Sequence, residues 1–480
     1  MLVSMSSALS KPTFTRLAKS ILMCLASYQP GGSSGFTSTA DPLSDPTACL
    51  RDAILMQRLG INTIRVYNLD SILDHNQCAS IFNAAGIYMI LDVNSGLEGE
   101  YIDRSNPSST YTLDYLSHVF GIIEAFANYP NTLGFWAANE IINQDSSNDA
   151  PAYIRAVVRD MNDYISHNIG RPIGVGYSAA DVDTLLTDTW NYLACNIDNS
   201  TSSKIDFFGL NDYEWCGTNT FTGSGWDKLV AQFDDTTIPV IFSEFGCNLV
   251  TPRTFQEIPT LYGSDMSLFS GGLVYEWTQE ENNYGLIDVN SSTSITLLSD
   301  YTSLQQRYAA IDISGIDTAN ATAQSATASE CASITVSNSQ FPSNFALPDR
   351  PSGADSIITS GLTSASFWSA GSVASVSATA MPSSLTVMNY TGSTVDSSNL
   401  NLVEYACDQM NEPGKAATYT YPSSSPSCAY STTKPSGTSG SSSGSGSGSK
   451  NAASAVVVTG GELLPALVVV TGIMVGMLVL

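Results

Sequence analysis

The chain has 480 residues, more than a single hydrophobic core usually contains, so we expect one large domain with additional segments. Its 18 basic and 44 acidic residues give a formal net charge of -26, which would repel a phosphate backbone and excludes nucleic acid as a partner. Nine cysteines without a CxxC pair and only three histidines lack the ligand spacings of a zinc site, so we expect no metal and no other cofactor.

Residues 1–19 form an atypical N-terminal segment. Arg16 and Lys19 precede the apolar stretch ILMCLAS at 21–27, an order that fits the charged and apolar regions of a secretion signal. The same stretch lies where the first strand of the following domain is needed. The sequence leaves both interpretations open.

Short apolar stretches alternate with longer amphipathic ones from about residue 20 to residue 312. The apolar stretches are nearly continuous, as in strands that are buried on both faces. Eight strands are predicted, at 20–28, 62–67, 87–93, 132–138, 172–178, 206–211, 238–243 and 271–277. Helical patterns lie between them, at 47–59, 76–85, 112–128 and 150–168 among others. This alternation predicts an α/β fold, a (β/α)8 TIM barrel, whose functional residues gather at the carboxyl ends of the strands.

The composition changes after the barrel region. Residues 336–421 are rich in Ser, Thr and Ala with few charges, which predicts a small or loosely ordered Ser/Thr-rich C-terminal extension. Cys407 and Cys428 would close one loop near its end. A Ser/Gly-rich stalk follows at 422–450.

The last segment, 451–480, begins with small residues and ends in the apolar run LPALVVVTGIMVGMLVL. Small residues, a spacer and an apolar tail in this order indicate a GPI-anchor signal that is removed, with Asn451 as the attachment site. A single transmembrane helix is the alternative. Because no Lys or Arg follows Lys450, the sequence favours the anchor and predicts a plasma-membrane partner.

Cysteine usage and sequons indicate an oxidising compartment. The cysteines are best explained as disulfides, whose pairing the spacing alone leaves open. Four Asn-X-Ser/Thr sequons predict N-glycosylation at Asn199, Asn290, Asn320 and Asn389. With the anchor signal, these features place the protein on the extracellular face of the plasma membrane and in the cell wall.

Two predicted strands end in a glutamate. FWAANE runs into Glu140 and VIFSE runs into Glu244, at the ends of the fourth and seventh strands. Retaining glycosidases use two carboxyl groups roughly 5 to 5.5 Å apart, one to protonate the leaving oxygen and one to attack the sugar carbon. Buried acids are costly unless they are paired or used, which favours a catalytic pair over two structural carboxylates.

Aromatic and hydrogen-bonding residues occupy other predicted strand ends. Such residues bind the faces and hydroxyl groups of a pyranose ring, although ordinary packing explains any one aromatic residue alone. Asn139 would hold a sugar 2-hydroxyl beside the acid. The remaining candidates are Tyr67, Asp92, Asn211, Tyr213, Trp215, Tyr275 and Trp277, of which Tyr213 would orient the nucleophile.

Seven motifs carry a specific resemblance: YQPGGSS, DPTACLRD, NTIRVYNLD, ANE, GLNDYEWCG, FSEFGCN and QEENNYGL. In this order, over about residues 28 to 312, the chain resembles glycoside hydrolase family 72, the fungal β-1,3-glucanosyltransferases known as the Gas, Gel and Phr proteins. The resemblance implies a retaining (β/α)8 enzyme. Such an enzyme cleaves β-1,3-glucan internally and transfers the new reducing end to the non-reducing end of another glucan, which elongates and remodels the fungal cell wall.

The resemblance also implies roles for individual residues. It implies Glu140 as acid/base and Glu244 as nucleophile, and it extends the barrel domain to 20–335 through a disulfide. Around the donor sugar it implies Gln29, Tyr67, Asp92, Asn139, Tyr213 and Tyr275. The implied disulfides are Cys49–Cys78, Cys216–Cys247 and Cys195–Cys331.

Two alternatives remain open at this point. Hydrolysis and transfer share a glycosyl-enzyme intermediate, and the outcome depends on whether water or an acceptor hydroxyl reaches it first, so a β-1,3-glucan hydrolase of the same barrel is possible. The first strand carries Cys24 and lacks the Lys-Gly pair usual in the family, which favours an inactive glucan-binding wall protein. The two intact glutamates favour the enzyme.

Overall fold

A computed structural model describes residues 23–32, 36–37, 39–145, 149–197, 200–312, 328–363, 373–376, 378–406 and 409–415. Some features predicted above lie outside these residues. They are the segments 1–19 and 422–480, with Asn199, Asn320, Cys407, Cys428 and Asn451.

Eight parallel strands form a closed barrel in which each strand pairs with the next and the eighth pairs with the first. This architecture confirms the predicted (β/α)8 fold, and all eight predicted stretches contain a strand. The strands are β1 (Met23–Ser27), β2 (Thr63–Val66), β3 (Tyr88–Asp92), β4 (Thr132–Asn139), β5 (Gly174–Ala180), β6 (Phe207–Asn211), β7 (Val240–Phe245) and β8 (Phe269–Val274).

Helices connect the strands, and local sequence signals set their ends. In the first helix, the Asp45 carboxylate caps the N-terminus by accepting from the backbone N–H groups of Thr47 and Ala48, and Gly60 ends the helix with φ 95°. The helices are α1 (Pro46–Leu59), α2 (Asn76–Ala84), α3 (Pro107–Thr110), α4 (Leu113–Phe126), α5 (Ala150–Asn168), α6 (Asp183–Ala194), α7 (Trp226–Gln232), α8 (Ile258–Leu261), α9 (Ser299–Ala309) and α10 (Ala354–Ser360). Among the described helices, none is long and apolar enough to cross a membrane.

The first strand closes the barrel despite its unusual sequence. Leu25 pairs with Thr63 of β2 on one side and with Leu273 of β8 on the other. Cys24 is buried and forms no disulfide. The described part of the ambiguous stretch 21–27 is therefore a barrel strand.

Large side chains fill the barrel interior, and glycines on neighbouring strands make room for them. Trp136 and Phe207 pack edge to face with ring centroids 4.6 Å apart. A Cβ atom at Gly176 would lie 2.3 Å from the Phe207 ring, and one at Gly209 would lie 2.6 Å from Trp136. The interior is thus a packed core, and chemistry is restricted to the strand ends.

A second, three-stranded sheet includes part of the C-terminal extension. Its strands are β9 (Ile287–Ser291), β10 (Ser294–Leu297) and β11 (Thr386–Asn389), with β10 in the centre. Val387 of β11 is fully buried. This part of the C-terminal extension therefore packs with strands that follow the barrel strand β8.

Residues 400–406 and 409–415, here called the floor segment, cross the end of the barrel where the strands begin. The side chain of Gln57 donates to the carbonyl of Val403 at 2.7 Å and accepts from its N–H group at 2.9 Å. Buried Asn411 donates to the carbonyl of Ile61, which precedes β2, at 2.8 Å. Met410 packs against the cluster inside the barrel. The floor segment thus seals the end opposite the carboxyl ends of the strands.

Three disulfides join Cys49 to Cys78, Cys195 to Cys331 and Cys216 to Cys247. These are the pairings that the family resemblance implied. The second fastens the segment after the barrel to the end of α6, and the third joins the loops that follow β6 and β7.

Candidate active site

The two predicted glutamates lie at the carboxyl ends of their strands. Glu244 belongs to β7, and Glu140 directly follows β4. Glu140 adopts a left-handed backbone conformation, φ 52°, and its N–H group donates to the carbonyl of Ser178 on β5 at 2.9 Å. Strain of this kind in a non-glycine residue is concentrated at functional sites.

Three donors converge on the Glu244 carboxylate. The Tyr67 hydroxyl donates to Oε1 at 2.9 Å, and the Tyr213 hydroxyl donates to Oε2 at 2.8 Å. The Arg65 guanidinium reaches Oε1 at 3.4 Å. These contacts orient both carboxylate oxygens and stabilise negative charge on them.

Burial and the hydrogen-bond donors around Glu244 change its pKa in opposite directions. Burial is the largest influence and raises the pKa of Glu244 to about 7, and the charge of Glu140 adds to this increase. The charge of Arg65 and the hydrogen bonds from Tyr213 and Tyr67 lower the pKa. The site therefore holds a carboxyl group that titrates near neutrality and depends on its donors to ionise.

Glu140 receives a different environment. Its Oε1 accepts from the Asn211 amide at 2.7 Å, and the same amide also donates to Asn139 Oδ1 at 3.1 Å. The Asn211 oxygen in turn accepts from the hydroxyls of Ser178 and Ser243, at 3.0 and 2.8 Å. Because the serines fix the orientation of the amide, its NH2 group is the one that faces Glu140.

Arg65 is a functional residue that the sequence analysis missed. It is completely buried, and its Nε and Nη2 donate to the two oxygens of Asp92 at 2.8 and 3.0 Å. Asp92 was predicted to bind sugar; each of its oxygens accepts one hydrogen bond from Arg65, and its contact with sugar stays a prediction. A buried arginine inside the apolar run NTIRVY was the available signal, because an unpaired charge there would be strongly unfavourable.

Four tyrosines surround the glutamates. The Tyr275 ring lies 6.5 Å from the rings of both Tyr67 and Tyr213, and Tyr284 lies 5.7 Å from Tyr213 and 5.3 Å from Tyr275. Tyr284 was not predicted, although it lies in the motif QEENNYGL. Arg253 fixes this wall because it donates to the carbonyls of Tyr275 and Tyr284, at 2.6 and 2.5 Å.

Of the other predicted residues, Gln29 has the properties of a ligand-binding group. It follows β1 and is 9% exposed, and its buried Nε2 has no hydrogen-bond partner within the described part of the chain. An orphaned buried donor is costly unless a ligand or water satisfies it.

Both predicted tryptophans are buried, and their part in sugar binding stays a prediction. Trp277 lies beyond the end of β8, and its backbone N–H group donates to the carbonyl of Ser27. Its side chain is fully buried and packs against Tyr301 of α9. Trp215 is also buried and packs against Trp226 of α7. In the described residues, no group of three or more His, Cys, Asp or Glu side chains is arranged to hold a metal ion.

Comparison with known proteins gives consistent results. A sequence model of the family described as glucanosyltransferase, glycoside hydrolase family 72, matches residues 16–312. The 1,3-beta-glucanosyltransferase gel2 of Aspergillus fumigatus is 57% identical over 339 residues, which cover 70% of this chain and 71% of gel2. The probable 1,3-beta-glucanosyltransferase GAS3 of Saccharomyces cerevisiae is 48% identical over 349 residues, or 70% of this chain and 67% of GAS3.

A solved structure of Saccharomyces cerevisiae Gas2p in complex with laminaritriose and laminaritetraose is also similar. It superposes with a TM-score of 0.61 at 35% identity, and the match covers 70% of this chain and 74% of Gas2p. The family match extends over more than half of the chain, and the barrel with its two strand-end glutamates is the expected architecture. The chain therefore belongs to the glucanosyltransferase family, glycoside hydrolase family 72, and is an enzyme of that family.

Proposed function

We propose that the enzyme is a retaining 1,3-β-glucanosyltransferase in which Glu244 is the nucleophile and Glu140 the acid/base. The observation that carries the assignment is the asymmetry of the two carboxyl environments. Glu244 receives two phenolic hydroxyls and a guanidinium, which favour the ionised form that attacks carbon. Glu140 receives one neutral amide, which is compatible with the protonated form that a general acid requires.

The reaction begins with β-1,3-glucan bound across both glutamates. Glu140 donates its proton to the glycosidic oxygen while a Glu244 oxygen attacks the anomeric carbon, so the carbon–oxygen bond breaks and a glycosyl ester forms. The leaving chain departs with the proton as a free hydroxyl. As the Glu244 charge is consumed, Arg65 remains paired with Asp92 and so is not left as an isolated buried charge.

The second half of the reaction reverses the proton transfer. Glu140, now ionised, accepts the proton from the 3-hydroxyl at the non-reducing end of an acceptor glucan, and that oxygen attacks the anomeric carbon. The ester bond breaks, which releases Glu244 and gives a longer chain with retained configuration. Water in place of the acceptor would give hydrolysis.

Side chains with an unused N–H group bind the sugar of the glucan donor. Asn139 Oδ1 already accepts from the Asn211 amide, which leaves its NH2 group for the sugar 2-hydroxyl. The orphaned Nε2 of Gln29 supplies a second donor. Tyr67, Tyr213 and Tyr275 provide aromatic surface for the pyranose ring.

The test is to incubate the full chain with reduced laminarioligosaccharide and to measure product masses. Products longer than the donor are expected, only shorter products would indicate a hydrolase, and unchanged substrate would indicate a glucan-binding protein. Glu244→Gln should abolish the covalent intermediate. Glu140→Gln should stall on glucan but retain slow attack on a substrate with an activated leaving group.

Glu257→Gln is the matched control for these variants. Burial also raises the pKa of Glu257 to about 7, but this residue precedes α8 and makes no contact with the two glutamates. Full transfer activity in either Glu140→Gln or Glu244→Gln would refute the assignment.

The enzyme works outside the cell, at the fungal wall, as its fungal relatives and the disulfides indicate. We assign the plasma-membrane attachment to a GPI anchor at Asn451, because small residues are followed by an apolar run in 451–480. N-glycans are assigned to the four sequons. Of these, Asn290 in β9 is exposed, and Asn389 at the end of β11 accepts from the Thr391 hydroxyl of its own sequon at 2.7 Å.

A further inference from the structure

A pair of aspartates lies beside the catalytic glutamates and has no part in the mechanism above. Asp181 follows β5 and Asp212 follows β6, and their carboxyl groups lie within hydrogen-bonding reach of each other. Asp212 is almost fully buried. Asp181 Oδ1 and Asp212 Oδ2 have no donor from the rest of the described chain. Two buried acceptors in contact are satisfied when one proton lies between them.

In the sequence, Asp212 lies between the two residues that donate hydrogen bonds to Glu140 and Glu244. Its predecessor Asn211 donates to Glu140 at 2.7 Å, and its successor Tyr213 donates to Glu244 at 2.8 Å. The N–H group of Asp212 itself donates to the carbonyl of Glu244 at 2.9 Å. A shift of this one residue would therefore displace both catalytic contacts.

The Asp212 side chain fixes that position from the other side. Its Oδ1 accepts from the indole N–H group of Trp226 in α7 at 2.9 Å and from the N–H group of Glu214 at 3.3 Å. The Trp226 ring packs against Phe242 of β7 with centroids 5.0 Å apart. Asp212 thus connects the end of β6 to α7 and, through it, to the strand that carries Glu244.

We propose that Asp181 and Asp212 share a single proton and that this carboxyl pair is a positioning device for Glu140 and Glu244. The inference rests on the roles proposed above for the two glutamates. With one proton, the pair holds the ends of β5 and β6 together. When the pair loses that proton to solvent, two buried carboxylates repel each other and Asn211 and Tyr213 are displaced.

The charges around the pair act in the same direction. Burial raises the pKa of Asp181 to about 7, and the carboxylates of Glu214 and Asp183 raise it further. The pKa of Asp212 is raised well above its ordinary value by burial and then by Asp181. The pair therefore holds its proton to a higher pH than an ordinary carboxyl group does.

The first experiment compares kcat and KM of the full chain and its variants on reduced laminarioligosaccharide. Asp212→Ala should lower kcat about tenfold or more, with a smaller change in KM, because a buried hydrogen bond that positions both glutamates is lost. Asp212→Asn should recover kcat to within about threefold, because its amide can accept from Trp226 and donate to Asp181. Equal losses in Ala and Asn, or a change in KM alone, would overturn the proposal.

The second experiment follows activity with pH in Asp181→Asn, where the amide replaces the shared proton with a permanent donor. The basic side of the kcat profile should move to higher pH. Asp183→Asn is the matched control: it removes the same charge from an exposed neighbour that does not bond Asp212, and because the Asp183 charge raises the pKa of Asp181, its profile should move slightly to lower pH, in the opposite direction. Identical profiles in the two variants would contradict the proposal.

The third experiment needs no activity and so separates this inference from the proposed function. Because the pair binds its proton more tightly in the folded than in the unfolded chain, its contribution to stability is full at acidic pH and is lost as pH rises towards neutrality. The melting temperature of Asp181→Asn minus that of the unmutated chain should therefore be larger at pH 8 than at pH 4. A constant difference would refute the shared proton even if transfer is observed.

Discussion

The hydroxyl group of Tyr213 should control the ionisation of Glu244, and this can be tested by removing that one oxygen atom. Tyr213→Phe removes the 2.8 Å hydrogen bond to Oε2 and keeps the ring. A hydrogen bond to a charged group contributes about 1.5 to 3 kcal/mol. At about 1.36 kcal/mol per pKa unit, its loss should raise the pKa of Glu244 by about 1 to 2 units. Glu244 is 8% exposed, so solvent does little to reduce this effect.

The assay is the pH dependence of kcat/KM, which reports ionisations of the free enzyme. Because attack requires ionised Glu244, the acidic side of the profile should move to higher pH in Tyr213→Phe. Tyr67→Phe should move it in the same direction, since Tyr67 donates to the other oxygen. Tyr284→Phe is the control, because its ring is 5.7 Å from Tyr213 and its hydroxyl does not bond Glu244.

An unmoved or lowered acidic side in Tyr213→Phe would refute the reasoning. It would mean that the donors do not stabilise charge on Glu244, and the case for Glu244 as the nucleophile would lose its main support. A shift of equal size in Tyr284→Phe would assign the effect to the polarity of the tyrosine wall as a whole.

Three further predictions concern catalysis and stability. Asn211→Ala should lower kcat/KM about tenfold or more in steady-state assays, because Glu140 loses its amide donor and two buried serine hydroxyls lose their acceptor. Replacing Cys195 and Cys331 together by Ser should lower the free energy of unfolding by about 5 kcal/mol in chemical denaturation, since the bridge closes a loop of 136 residues. Gly86→Ala should destabilise by about 1 to 3 kcal/mol, measured in the same way, because Gly86 has φ 69° and a Cβ atom would lie 2.7 Å from Asn411 N.

Each of the two stability predictions has an internal comparison. Removing Cys49–Cys78, which spans 29 residues, should cost less than removing Cys195–Cys331, and the reverse order would argue against the loop-closure explanation. Gly392→Ala has a similar positive φ of 82° but meets no atom within 4 Å. Equal losses in Gly86→Ala and Gly392→Ala would show that contact with the floor segment contributes nothing.

The sequence predicted the barrel and the two glutamates because both depend on local pattern. Continuous apolar runs mark strands buried on both faces, and a charged residue at the end of such a run is detectable without knowing its neighbours. Glu140 and Glu244 are of this kind. Arg65, the partner of Glu244, is not, because its role appears only when β2, β3 and β7 bring Asp92 and Glu244 to it.

Other features depend on long-range contacts that composition does not reveal. Trp277 was expected at the sugar site because it ends the predicted strand 271–277. In the structure β8 ends at Val274, and the Trp277 side chain is fully buried. The floor segment lies in the region 336–421, whose Ser, Thr and Ala content predicted loose structure. Its order comes from hydrogen bonds such as that between Gln57 and Val403, which are 346 residues apart.

The position of the floor segment also determines the end from which substrate enters the barrel. Pro413 lies against Gly60, in the turn that leads from α1 to β2, so the chain leaves the barrel at the end remote from Glu140 and Glu244. The floor segment therefore blocks entry of substrate at that end, and glucan reaches the two glutamates from the end that carries the tyrosine wall.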